Sequence, residues 1–202
     1  NDDRMNQTVY ANHLLWAGVN TGLYQQFSSK TEPEYHAGIA WFAVRPQWTT
    51  TCAVAPSGGG GGLCFVPTMA RQGYVAVQHE DAIFPSIGMT DAGMGAMAFS
   101  VTGADMYPSS GYVRLGTAYG PGNVQMSAQG MGSLQDFSWY LNGRPRWGDY
   151  SAAVASGTHI YFASEYIQYP DCDLATFTVD HTCGGTRGTR TNWGTSISKM
   201  LP

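Results

Sequence analysis

The chain has 202 residues, of which only 12% are charged and 26 are glycine, while 43% are hydrophobic. That length allows one domain with a real core. The composition excludes coiled coils and charged helical bundles, and it carries too much apolar surface for intrinsic disorder. A formal charge of −4, with ten Lys and Arg in all, argues against a phosphate-tracking surface and so against nucleic acid as a partner.

Self-similarity along the chain decides the architecture. The first element, TVYANHLLWAGVNTG from Thr8 to Gly22, reads as two short strands around a turn at Ala11-Asn12. AGIAWFAVRP (Ala37–Pro46) and GYVAVQ (Gly73–Gln78) supply two further strands. The pattern then restarts. PSIGMTDAGMGAMAFSVTG (Pro85–Gly103) is a second hairpin with its turn at Thr90–Gly93, followed by SGYVRL (Ser110–Leu115) and NVQMSAQ (Asn123–Gln129). YSAAVASGTHIYFASEY (Tyr150–Tyr166), turning at Ser156-Gly157, is the third, and WGTSISKM (Trp193–Met200) is its single following strand. An amphipathic helix over Asp3–Leu23 is the competing reading of the start, but Met5, Val9, Leu14, Leu15 and Val19 fit a helical stripe loosely, and Gly18 and Asn20 weaken it.

Repeated four-stranded antiparallel units are the pattern of β-propeller blades. The expected fold is therefore all-β, with approximate blades at residues 1–80, 81–130 and 144–202 of one domain or part-domain, and a β-sandwich is the alternative. Three blades do not close a ring, and the third is a strand short. The free blade surfaces, with Ile160, Phe162 and Ile197 among their expected residues, then need covering by an N-terminal half of the same precursor, the favoured reading, or by additional copies of the chain. No run reaches the roughly 18–20 apolar residues of a membrane span, and Asn1-Asp2-Asp3-Arg4 is not the start of a signal peptide, so the chain reads as a processed product or a piece of something longer.

The four cysteines form two local pairs, Cys52 with Cys64 and Cys172 with Cys183. Each closes a short loop, which in the chain-entropy account stabilises by about 3 kcal/mol. The first loop contains the glycine run Gly58–Gly62. Two disulfides place the protein in an oxidising, extracellular setting. A zinc site at Cys172, His181 and Cys183 is the competing reading, but there is no C-x-x-C, and neither a metal nor another cofactor is expected. Asn6-Gln7-Thr8 is a glycosylation sequon.

RWGDYSAAVASGTHIYFASEY from Arg146 and NWGTSISKM from Asn192 resemble the C-terminal half of a group of secreted proteins with a sialidase-like β-propeller. Phe84–Leu115 and the opening NDDRM look similar to the preceding blades of that group. The cysteine loops, Thr49–Phe65 and Gln168–Thr191, depart from it as insertions. The resemblance implies a fold more than an activity.

In a propeller the residues just before each hairpin converge on one mouth of the channel. Here those are Asp3 and Arg4, Asp81 with Phe84, and Arg146, Trp147, Asp149 and Tyr150. Trp147 can stack on a sugar ring while Arg4 or Arg146 grips an acidic substituent, so Asp3, Arg4, Arg146 and Trp147 form the expected binding set. Glu165, in an apolar strand, is a candidate acid or base partner of Asp149, or else one half of a salt bridge with Arg114 or Arg146. The resemblance implies a nucleophilic Tyr backed by a Glu, parts that Tyr150 and Glu165 can take, but it also wants three convergent arginines and no third can be assigned. His79-Glu80-Asp81 reads as a surface turn in preference to a metal site. The expected function is an extracellular module binding a glycan or another extracellular polymer. A glycan-active hydrolase or lyase and a structural subunit of an assembly are the alternatives.

Overall fold

The structure, a computed structural model of the chain, describes residues 5, 7–26, 33–50, 63–135, 146–183 and 187–202. Asp3, Arg4, Asn6, Cys52 and the Gly58–Gly62 run therefore lie outside the described residues. The all-β expectation holds. Sheet 1 runs in the order β1 (Thr8–Ala11), β2 (Leu14–Gln25), β3 (Glu34–Arg45) and β6 (Thr68–Val75), with β4 (Trp48–Thr49) and β5 (Cys64–Phe65) pairing at the base of the first cysteine loop. Sheet 2 is β7 (Glu80–Met89), β8 (Met94–Gly103), β9 (Ser109–Gly116) and β10 (Gln125–Ala128), and sheet 3 is β11 (Ala152–Ser156), β12 (His159–Ile167) and β13 (Trp193–Met200). All neighbouring strands are antiparallel. The segment read as an alternative helix is the hairpin β1–β2, whose Val, Tyr and Trp content favours strand over helix.

The sheets stack in chain order with sheet 2 in the middle: β2 and β3 pack on β7, while β11 and β12 pack on β7, β8 and β9. One core joins Trp16, Ile39, Trp41 and Ala43 of sheet 1 to Ile87, Met97, Phe99, Val113 and Leu115 of sheet 2. Within it the Trp16 and Trp41 rings stack at 6.2 Å. A second core joins Ala96 and Ala98 on the other face of sheet 2 to Ala153, Ile160 and Phe162 of sheet 3. Being covered on both sides, β7 and β8 are buried almost end to end without alternation, whereas β13 alternates at every residue.

This packing corrects the expected free surface of the third unit. Ile160 and Phe162 are 0% and 3% exposed, because even-numbered positions of β12 point at sheet 2. Ile197 is 79% exposed on the opposite face, as expected.

The turns explain two boundary shifts. The first hairpin turns at Asn12-His13, one residue later than expected, with φ of 49° and 61°, the pair of left-handed residues that a tight two-residue hairpin needs. Strand β7 starts at Glu80 rather than Pro85, because the pairing shifts register between Ile83 and Ser86 around Phe84, at φ 60°. The Phe84 N–H donates to Asn20 Oδ1 at 2.8 Å, and Pro85 fits against Gly18, so the irregularity docks sheet 2 on sheet 1.

The three first strands are tied at one point. Gln7, just before β1, donates from Nε2 to the Ala153 carbonyl at 2.9 Å, and its Oε1 accepts from the Ser86 hydroxyl. A serine relay, Ser100 Oγ to Ser164 Oγ at 3.2 Å and Ser151 Oγ to Ser164 Oγ at 3.0 Å, joins sheets 2 and 3. In the connections, fully buried Asn192 donates to the carbonyls of Ser133 (2.7 Å) and Tyr169 (3.2 Å) and accepts from Gln135 N–H (2.8 Å). Gln135 in turn bonds both the N–H and the carbonyl of Cys172.

Cys172 and Cys183 are disulfide-bonded, with Cα atoms 5.1 Å apart, as expected. Both sulfurs are consumed, which removes the zinc reading. The bridge encloses the short helix α1 (Leu174–Asp180), capped by Asp173, whose carboxylate accepts from Thr176 N–H at 2.8 Å and is held below the usual aspartate range by that bond. Cys64 is also disulfide-bonded, its expected partner Cys52 lying outside the described residues.

Gly88 sets the spacing between sheets 2 and 3, since a Cβ added there would lie 3.0 Å from Ile160 Cγ2 and 3.1 Å from the Val154 nitrogen. Gly88→Leu is expected to destabilise by about 1–3 kcal/mol through overpacking. Gly120→Leu is the control, because a Cβ there meets nothing within 4 Å. Denaturant midpoints check this: equal stability of the two variants would contradict the stacking of sheet 3 on sheet 2.

Candidate functional site

Residues 146–151 run into β11, and the antiparallel pairing of β11 with β12 brings them alongside the end of β12. Gly148 is the close-approach position. The Glu165 carboxylate lies over it so tightly that any side chain there would collide with both carboxylate oxygens. Glu165 is thereby placed beside the expected segment. Arg146 Nη2 and Asp149 Oδ2 form an ion pair, with side chains 53% and 44% exposed. An exposed pair of this kind contributes about 0–1 kcal/mol, so its value lies more in fixing the Asp149 carboxylate than in stability. Trp147 is half-buried, and its indole N–H is buried with no hydrogen-bond partner.

Tyr150 is 67% exposed. It lines a depression of about 440 Å³ together with Gln7, Ala152, Val154, Tyr161 and Ile197 on the outer face of sheet 3. At the far end of that face the Lys199 ammonium lies 5.6 Å from the Tyr161 ring centre, a cation–π contact. The structure thus gathers Arg146, Trp147, Asp149, Tyr150 and Glu165 at the entry to sheet 3. Asp3 and Arg4, the rest of the expected set, lie outside the described residues.

Asp81 is taken up by sheet 1. Its Oδ1 accepts from Ala37 N–H at 2.7 Å and lies 3.3 Å from His36 Nδ1. His36 Nε2 is 3.2 Å from Glu34 Oε2, which also takes His79 Nδ1 at 2.7 Å. This imidazole–carboxylate chain closes one end of the seam between sheets 1 and 2. It escapes a sequence reading because Glu34 and His79 are 45 residues apart.

The expected surface turn at His79-Glu80-Asp81 holds at His79, which with Gln78 makes the turn, and not at Glu80 and Asp81, which begin β7, Glu80 being only 4% exposed. Its Oε1 accepts from Asp105 N–H at 3.2 Å, while its Oε2, over Gly103, has no partner. Among the described residues no three His, Cys, Asp or Glu side chains are arranged to hold a metal ion. No helix among them is long and apolar enough to cross a membrane. No protein-family model, curated protein or solved structure matches the chain.

Burial pushes the Glu80 carboxyl above the usual glutamate range, with the Asp105 and Asp81 carboxylates adding to the rise and the Asp105 N–H and His36 opposing it. The native state then holds a proton at pH values where the unfolded chain has released it, so stability falls as pH climbs from the ordinary glutamate value to the raised native one. Glu80→Gln keeps an acceptor for Asp105 and removes the ionisation. Its thermal midpoint is expected to exceed the parent's at neutral pH, the difference vanishing below about pH 4. A variant losing more stability at neutral pH than in acid would mean that the ionised carboxylate is favourably held.

Proposed function

We propose that the chain is an arc of a sialidase-like β-propeller that binds a glycan or another extracellular polymer at the surface built from Arg146, Trp147, Asp149, Tyr150 and Glu165. The observation that carries the reading is that exposed Tyr150 follows directly in the chain on the Arg146–Asp149 ion pair and on Gly148, over which the Glu165 carboxylate lies, at the entry to one sheet. An aromatic face covers the apolar side of a sugar, while carboxylates and guanidinium take its hydroxyls or an acidic substituent. Successive antiparallel meanders, stacked in chain order with their first strands tied through Gln7, support the propeller arc. The Cys172–Cys183 bridge supports an extracellular setting.

A glycan-active hydrolase or lyase is the second reading, favoured by one observation: Tyr150 and Glu165 stand at the same end of sheet 3, as a tyrosine nucleophile and its carboxylate partner would. Against it, Asp149 is already engaged by Arg146.

Titration of the purified chain against a panel of neutral and acidic oligosaccharides and extracellular polymers, with chromatography of the products, tests both readings. The proposal expects saturable binding without turnover, weakened roughly 5- to 30-fold by Asp149→Ala or Tyr150→Ala, as loss of one or two polar or stacking contacts implies. Turnover that Asp149→Ala or Tyr150→Phe lowers by orders of magnitude would replace the binder with the enzyme. Binding unchanged by the substitutions, or no binding across the panel, would refute the site.

A further inference from the structure

The stack has two free ends of unlike character. The strands packing on sheets 1 and 3 belong to sheet 2, leaving the other face of each end sheet open among the described residues. On sheet 3 that face carries Ala152, Val154, Tyr161, Ala163, Ile197 and Lys199, with the Ala152–Ala163 cross-strand pair at its centre and Glu165, paired with Thr195, toward the sheet entry. Val154 and Ile197 are 58% and 79% exposed. On sheet 1 it mixes large and small side chains: Leu15 is paired with Val44, Phe42 is opposite Ala17, and Val19 is opposite Ala40, with exposed Tyr10 and Tyr74 on the outer strands.

The interface between sheets 2 and 3 shows how such faces fit. The trailing face of sheet 2 is small at its centre, with Gly88 paired to Ala96 and Ser86 to Ala98, and it receives bulky Ile160 and Phe162 from the leading face of sheet 3. The free trailing face of sheet 3 repeats the small centre at Ala152 and Ala163, and the free leading face of sheet 1 offers bulk at Leu15, Phe42 and Val44. Placing the second on the first continues the established interface with the same small-to-large fit. Sheet 3 on sheet 3 would set two small-centred faces together.

We propose that the occupant of both free faces is a second copy of this chain, docked head to tail, sheet 3 of each on sheet 1 of the other. Because the two contacts are identical and join unlike faces, two copies related by a twofold axis satisfy both at once, giving a closed ring of six sheets. The first strands of the three sheets meet at Gln7, as sheets fanned about one line would, and such an arrangement favours closure over open-ended growth. This inference rests on the packing order of the sheets and not on glycan binding; because Tyr150 lines the depression on this same face, docking would cover part of the proposed glycan surface, so the chain mass is measured without saccharide and the two proposals are tested separately.

Light scattering on the purified, oxidised chain is expected to give twice the chain mass, and Ile197→Asp and Phe42→Asp are each expected to reduce it to one chain. Ile197 is mostly exposed, so Ile197→Asp keeps the fold, which circular dichroism checks. Geometry is read from cysteine variants treated with a bismaleimide: the pair Ile197→Cys and Phe42→Cys in one chain should join chains, and neither single variant should. A monomeric parent, an open-ended mass distribution, or joining by Ile197→Cys alone would overturn the proposal.

Discussion

The architecture depends on one constraint: sheet 2 is apolar on both faces and must be covered on both. Ile87, Met97, Phe99 and Val113 point one way while Gly88, Ala96 and Ala98 point the other, so neither face can be left to water. An antiparallel sheet usually keeps one solvated face and reads as strict alternation. Here alternation survives in sheet 3, whose outer face is open, and disappears in β7 and β8. Sheets 1 and 3 are bound to the middle sheet by that requirement, and their own outer faces follow from it.

The two interfaces solve the packing differently. Between sheets 1 and 2 the stacked Trp16 and Trp41 face a wall of Met, Phe, Val and Leu, and Gly73 admits the Trp41 indole that a Cβ there would meet at 2.8 Å. Between sheets 2 and 3 the smaller residues let the backbones approach, with Tyr112 tilted on Phe162 at 5.0 Å closing the side. Polar groups are confined to places where they find partners: Gln7 at the first strands, the serine relay, and Asn192 in the connections. Among the described residues the exceptions are the indole N–H groups of Trp41 and Trp147, the Nε groups of Arg187 and Arg190, and one carboxylate oxygen of Glu80, whose raised proton affinity follows from its burial.

Much of this was legible because strand pairing is written locally. The β-branched and aromatic runs located most of the strands, and β13 has the expected bounds from Trp193 to Met200. Features that depend on tertiary contact were not legible. The sequence around Phe84 does not announce a left-handed bulge, since its stability comes from Asn20, 64 residues away. Ile160 and Phe162 of β12 and Ile197 of β13 look alike as apolar strand residues, and only the placement of sheet 2 tells the two buried residues from the exposed one. At the candidate site, Arg146, Asp149 and Tyr150 are legible because they precede a hairpin and Glu165 because it is a carboxylate in an apolar strand, while its position over Gly148 follows from the β11–β12 pairing. Of the Glu34–His36–His79–Asp81 chain, His79 and Asp81 stand out locally as a polar cluster, but nothing near them points to Glu34 and His36.

Charge is scarce in this chain, and its placement follows from the stacking. Faces that meet other sheets have no room for solvated groups, so ionisable side chains collect where strands begin and end. His36 and Asp81 sit at one end of the seam between sheets 1 and 2, and Arg146, Asp149 and Glu165 at the entry to sheet 3. The second group differs from the first in being open to solvent and in having an exposed aromatic ring beside it. Interior packing has therefore selected the location of the candidate site: the chemistry stands at the sheet entry because that is where a backbone already fixed by pairing meets water.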